Sequence, residues 1–146
     1  MIRLAPISEE NIRDFAGTSY QSMSTDEKLH MIRESMRREH EGAYFELLAV
    51  WDGDQIVGFM SLYAHSAHII SISPEIKENR RMKGYAYLGE IQALQYAKDA
   101  GYTIAVAGVR KENLASIALH RKLGFEEGAQ CLSKKGNEIR IFIKAL

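Results

Sequence analysis

The chain of 146 residues and 16.5 kDa is 46% hydrophobic, 26% charged and 9% aromatic, the profile of one globular domain over 1–146 rather than of a collagen, a disordered tail or a disulfide scaffold. Folding at this size buries roughly two thirds of the unfolded chain's surface, enough for a core without disulfides, and the single Cys131 excludes an internal disulfide and a cysteine-rich zinc site. Nineteen Lys and Arg balance nineteen Asp and Glu, no apolar run reaches the roughly 18 residues that span a bilayer, and residues 1–10 carry no apolar signal core, so a cytoplasmic protein without a membrane partner is expected.

In chain order, a short strand at residues 2–5 is followed by Ser8, which can cap a helix carrying Ile12 and Phe15 on one face. Ser24 with Glu27 three residues on forms a capping-box start, and Leu29, Ile32 and Met36 then recur at helical spacing. Residues 45–51 and 55–63 are apolar and rich in strand formers, and Asp52-Gly53 between them signals a hairpin. A third strand is expected at 68–77. Residues 84–100 read as a helix with Leu88, Ile91, Leu94 and Ala97 on one face and Gly101 at its C-terminal end. Residues 103–109 suit a buried strand, Asn113 or Ser116 can open another helix that Gly124 ends, and 125–133 with 137–144 form a closing hairpin. This order predicts a mixed α/β layer with a parallel crossover from the third strand through the 84–100 helix to Thr103.

The most informative segment is 76–86, Ile-Lys-Glu-Asn-Arg-Arg-Met-Lys-Gly-Tyr-Ala, which joins a strand to a helix N-terminus through a basic, glycine-containing loop. Unpaired amides at such a terminus, backed by the helix dipole, favour an anion, and Lys77, Arg80, Arg81 and Lys83 add charge around it. The same features also describe a solvated loop that merely opens a helix. Two familiar phosphate motifs fail: Gly89 is followed by Glu90-Ile91 instead of Lys-Ser/Thr, and no G-x-G-x-x-G occurs.

What remains, R-x-x-G-x-A from Arg81 to Ala86, resembles the pyrophosphate loop of the GNAT acetyltransferases. A second segment, from Asn113 through Ser116 and His120 to Gly124-Phe125, is similar to the family's N-x-x-S/A-x-x-L-Y-x-K-x-G-F stretch. The resemblance spans 76–125 in motifs and nearly the whole chain in element order. It implies a mostly antiparallel sheet with a central splayed parallel strand pair and helices on both faces. It also implies acetyl-CoA as co-substrate with no metal. Backbone groups of Ile76, Lys77 and Glu78 would receive the pantetheine, and the amides of Arg81, Met82, Lys83, Gly84, Tyr85 and Ala86 the pyrophosphate. Asn113 and Ser116 would line the pantetheine arm. His120 stands where the family has its Tyr general acid, and imidazole can also donate that proton; a packing histidine is the alternative.

The resemblance implies direct acetyl transfer to the amine of a small molecule or peptide. An ammonium acceptor must first lose a proton, and among Glu75, Glu78, Glu46 and His68 the first choice of base is Glu75. A backbone N–H of the splayed strand would stabilise the developing oxyanion. A degenerate acyl-CoA-binding sensor is the alternative function, since the Tyr is absent and the base unassigned. Nucleic-acid binding is disfavoured by a short basic run without aromatic platforms, and a homodimer is left open. His65-x-x-His68 suits a turn better than a metal site, Cys131 is expected in the core, and Arg33, Arg37 and Arg38 are interleaved with Glu34, Glu39 and Glu41 as a solvated face. The balanced charge divides unevenly. Residues 1–76 hold six Lys and Arg against twelve Asp and Glu, and 77–146 hold thirteen against seven, so cationic or neutral acceptors are expected.

Overall fold

The computed structural model describes all 146 residues. Seven strands form one sheet in the order β1-β2-β3-β4-β5-β7-β6. They are β1 (Ile2–Pro6), β2 (Phe45–Asp52), β3 (Gln55–Ala64), β4 (Ile69–Ile76), β5 (Ile104–Arg110), β6 (Glu126–Leu132) and β7 (Glu138–Ala145). All neighbours are antiparallel except β4 and β5, which pair in parallel only from Ile69–Ile104 to Ser71–Val106. Beyond Ser71 and Val106 the two strands separate. The expected mixed sheet with a splayed parallel pair is the observed one.

Strand alternation divides the side chains between two cores. On one face Leu48, Val50, Met60, Leu62, Ile70 and Ile72 are buried beneath α2 (Tyr85–Asp99) and α3 (Leu114–Lys122). On the other, Leu47, Ala49 and Phe59 pack with Phe15 and Ile32 beneath the 3₁₀ segments Glu9–Phe15 and Ser19–Ser22 and helix α1 (Thr25–Arg37). Phe15 meets Phe59 edge to face at 5.1 Å. None of the helices is long and apolar enough to cross a membrane.

The local signals hold where they involve caps. Ser24 and Glu27 satisfy each other's backbone N–H groups at 3.1 and 2.9 Å, and Asn113 rather than Ser116 caps α3, accepting from the Ser116 N–H at 3.1 Å. The hairpin turn consists of Gly53 and Asp54, because Asp52 still pairs with Gln55.

Three side-chain expectations need correction. The buried stripe of α2 is Gly89, Glu90, Ala93, Leu94 and Ala97, while Leu88 and Ile91 face outward. A reading by apolar residues alone passes over Gly89, which lets the helix come so close to β3 that an added Cβ would lie 2.6 Å from the Met60 methyl. Met36 is exposed and Ser35 takes the inner position. Its hydroxyl accepts from the Leu47 N–H at 2.8 Å and donates to the Leu47 carbonyl at 3.2 Å, closing two backbone groups that β1 stops short of, since its register ends at Pro6–Leu48. Cys131 lies exposed on β6, a strand exposed along its length, rather than in the core.

Candidate active site

Where β4 and β5 part, a cleft of about 470 Å³ opens between their ends, lined by Ile72 to Ile76, the 80–87 loop and helix start, Ala107 to Val109, and the first turns of α3. Its edge groups follow from the ladder. Lys77 N–H donates to the Val57 carbonyl at 2.9 Å, so odd positions of β4 bond to β3 and even positions turn their backbone groups toward β5. Ile72 is still engaged by the last parallel pair. Pro74 has no N–H to offer. Ile76 therefore presents the one N–H of this edge inside the cleft, and its carbonyl receives Arg81 Nε at 3.4 Å. Of the backbone groups expected to face the carrier at Ile76, Lys77 and Glu78, the Ile76 N–H points into the cleft, while the Lys77 and Glu78 N–H groups donate to the Val57 and Gly17 carbonyls at 2.9 and 2.8 Å.

The loop then turns through Met82 (φ 64°) and Gly84 (φ 82°) into α2. An added Cβ on Gly84 would meet nothing within 4 Å, so glycine is needed there for its left-handed backbone and not for space. Gly84 supplies no capping side chain, which leaves the N–H groups of Tyr85, Ala86 and Tyr87 free at the positive end of the helix dipole. Of the four cations expected around them, Lys77 pairs with Asp14 at 3.2 Å on the opposite face and Arg80 bonds Gln55. Arg81 and Lys83 are left for the loop. The Tyr85 hydroxyl donates to Asp52 and holds the Asp52 carboxyl below its usual range.

Across the cleft, Asn113, Ser116 and His120 lie along one side of α3. His120 is 2% exposed. Its Nδ1 lies 2.7 Å from the Ser116 carbonyl and 3.4 Å from the Ser116 hydroxyl, while Nε2 faces Glu90 Oε1 at 3.3 Å. Burial, the largest influence, pushes the imidazole pKa down, but the adjacent Glu90 carboxylate, with the Ser116 carbonyl, outweighs it and the net direction is up. Sequence reasoning missed Glu90; the one available signal was a carboxylate at a position flanked by Gly89 and Ala93 on the inner side of the helix.

The other face of the opening is built differently. Pairing places Glu75 beside Phe59, Ser73 beside Ser61 and Ser71 beside Tyr63, all on the α1 side. Glu75 accepts the Ser19 N–H at 2.8 Å, and burial, then the Glu75 charge, push the Tyr20 phenol well above its usual range. One strand away, a cavity of about 760 Å³ between α1 and β2–β3 is lined by Asp26, Glu27, Glu34, His40, Ser61 and Tyr63 among others. Glu34 sits between His40 Nδ1, at 2.5 Å, and His30 Nε2, at 3.5 Å, and its hydrogen bond is the main cause raising the His40 pKa. The alternative bases lie elsewhere. Glu46 is buried on the α2 face, receiving the Tyr44 and Tyr96 hydroxyls at 2.7 Å each; Glu78 is exposed in the loop, and His68 is exposed before β4. No group of three or more His, Cys, Asp or Glu side chains converges as a metal site.

A strand pair that splits open beside an uncapped helix N-terminus leaves backbone donors suited to an anionic ligand. Residues 9–125 match the Acetyltransferase (GNAT) family, and the chain belongs to that family. No curated protein sequence matches it. Among solved structures it is similar to the ribosomal-protein-alanine N-acetyltransferase of Brucella melitensis, with 21% identity, TM-score 0.81, and 100% of this chain and 99% of that one covered. It is also similar to yncA of Salmonella typhimurium, solved with its cofactor acetyl-CoA, with 17% identity, TM-score 0.78, and coverage of 99% and 94%. The spermidine/spermine N-acetyltransferase of Vibrio cholerae, at 17% identity and TM-score 0.81, is covered over 92% of its length by 99% of this chain. The residues lining the cleft fit acetyl-CoA: a free strand-edge amide, three free helix amides and the Arg81 guanidinium border it, and Arg81 forms no ion pair with a carboxylate.

Proposed function

We propose that the protein is an N-acetyltransferase that moves acetyl from acetyl-CoA directly to an amine. Acetyl-CoA supplies an activated acetyl thioester when bound. The observation that carries the reading is the single cleft in which the Ile76 edge, the Arg81–Ala86 loop and the Asn113–His120 side of α3 meet. The amides of Tyr85 to Tyr87 with Arg81 and Lys83 hold the phosphates, and Asn113 and Ser116 border the pantetheine arm. Ile76 N–H is the strand donor available to a developing oxyanion, since Pro74 offers none. Glu75 takes the ammonium proton of the acceptor, and His120 is the source of the proton that the departing sulfur needs.

The acceptor is a cationic or neutral amine. Carboxylates on the α1 side and the surplus of acidic residues through residue 76 support it. The amines named for two structural neighbours, a ribosomal-protein alanine and spermidine, mark the peptide and small-molecule ends of the range. Thiol release from acetyl-CoA, measured across amino acids, polyamines, aminoglycosides and peptides, tests the reading. Turnover on an amine is expected, faster on basic than on acidic acceptors. Stabilisation by both CoA and acetyl-CoA without turnover on any amine would replace it with an acyl-CoA-binding sensor, the reading that the inward-turned His120 and the missing Pro74 donor favour.

A further inference from the structure

We propose that Glu90 is a positioning residue for acyl transfer, holding the buried His120 charged and directed at Ser116, whose hydroxyl carries the proton onward to the cleft. The inference rests on the transferase reading above. Glu90 is fully buried within α2, and its two carboxylate oxygens, together with His120 Nε2, have no well-aligned hydrogen bond. Buried polar groups without partners are rare enough to require a cause. A buried carboxylate with no partner is too costly to keep, so the group is either neutral or held by an opposite charge.

The protonation state follows from the neighbours. The Ser116 carbonyl can only accept, so the Nδ1 that lies 2.7 Å from it carries a proton. Nε2 then faces Glu90 at 3.3 Å either as a second N–H or as a lone pair. A lone pair aimed at a carboxylate is repulsive and would require a neutral Glu90 carboxyl to donate to it; a second N–H makes the imidazolium and pairs the charges, the state that the upward direction of the imidazole pKa favours. Phe125, at 5.0 Å, and Phe142, at 5.9 Å, wall the ring with apolar surface, which strengthens the attraction. No other charged side chain forms an ion pair with either residue.

Proton flow then balances without a new reactant. As the carbon–sulfur bond breaks, the Ser116 hydroxyl gives its proton to the sulfur and takes the Nδ1 proton of His120, 3.4 Å away. His120 is left neutral beside Glu90 and regains its proton from water through Ser116 once the thiol has left, while the acceptor's protons leave by Glu75, so that one proton is released overall. A glutamate in this position thus serves the reaction without touching substrate.

The test is the ¹⁵N and ¹H titration of the His120 ring in the parent protein and in Glu90→Gln, with kcat, KM and CoA affinity measured alongside. Both ring N–H signals are expected in the parent near neutral pH. In Glu90→Gln the titration midpoint falls, kcat at neutral pH drops by roughly 100-fold, its basic limb moves to lower pH, and CoA affinity stays within about threefold. Ser116→Ala is expected to lower kcat while leaving the His120 titration in place. A parent His120 that is neutral at neutral pH overturns the inference even if no variant folds. So does a Glu90→Gln protein that melts lower yet keeps the parent's kcat profile. A parent protein that titrates as described and binds CoA but acetylates no amine overturns the transferase reading instead, and the role in transfer with it.

Discussion

On the α2 face of the split, the groups available to a carrier are mostly backbone: Ile76 N–H, the first amides of α2, and two arginine or lysine side chains from one loop. On the α1 face, the lining consists of side chains drawn from β3, β4, α1 and the 3₁₀ segments, with carboxylates and hydroxyls prominent. Backbone groups are the same in every sequence, so the first face can recur across a family that shares little identity. The second face changes with each substitution, and it is where one member can differ from another in what it accepts. Carboxylates of Asp26, Glu27 and Glu34 line the α1-side cavity, whereas the loop that opens α2 carries Arg81 and Lys83.

The two faces should be separable by mutation, and Gly58 tests the seam between them most severely. An added Cβ would lie 2.5 Å from the Glu75 carbonyl and 2.8 Å from Ile76 Cα, so Gly58→Ala must displace the end of β4. A loss of about 1–3 kcal/mol, read by thermal or denaturant unfolding, is expected together with weaker CoA binding and slower turnover. Full activity in that variant would mean that β4 is not held as described.

Next in size, Ser35→Ala removes the hydroxyl that closes both backbone groups of Leu47 and is expected to cost about 1–3 kcal/mol. Its effect belongs to the α1 face: acceptor KM should rise while CoA affinity, measured calorimetrically, does not move. Arg81→Gln is the converse. It should weaken CoA by about tenfold or more with little change in melting temperature, and the difference from the parent should shrink at high salt.

The smallest effect concerns pH. His40 has a raised pKa through Glu34, so the stability it adds is fully present below the ordinary histidine value of 6.5 and is lost as pH rises through the raised one. The melting-temperature advantage of the parent over His40→Asn should therefore be present near about pH 5.5 and vanish near about pH 8.5. An advantage that grows with pH would reverse the assignment.

Much of the α2 face is legible in the order of residues alone. The R-x-x-G-x-A run, its placement between strand and helix, and Asn113 with Ser116 all act through local geometry: a left-handed glycine, a free helix end and a cap are decided within a few residues. The same holds for the Ser24–Glu27 box and for the strands around Gly53. What local spacing does not reveal is the orientation of side chains that depend on distant partners. Leu88 and Ile91 look like core residues, yet the helix rolls toward the sheet on Gly89 and buries Glu90 instead. Lys77 and Arg80 look like phosphate ligands, yet their partners lie at Asp14 and Gln55.

By itself, then, the sequence determined the order of elements, the basic glycine loop that opens α2 and the family, because each rests on short-range spacing and backbone conformation. Only the tertiary structure decided which strand-edge amide is free, that Lys77 and Arg80 find partners away from the loop amides, and that His120 turns inward to a buried carboxylate thirty positions earlier in the chain. Those outcomes depend on which segments meet in space, and burial multiplies the strength of every charge that meets there.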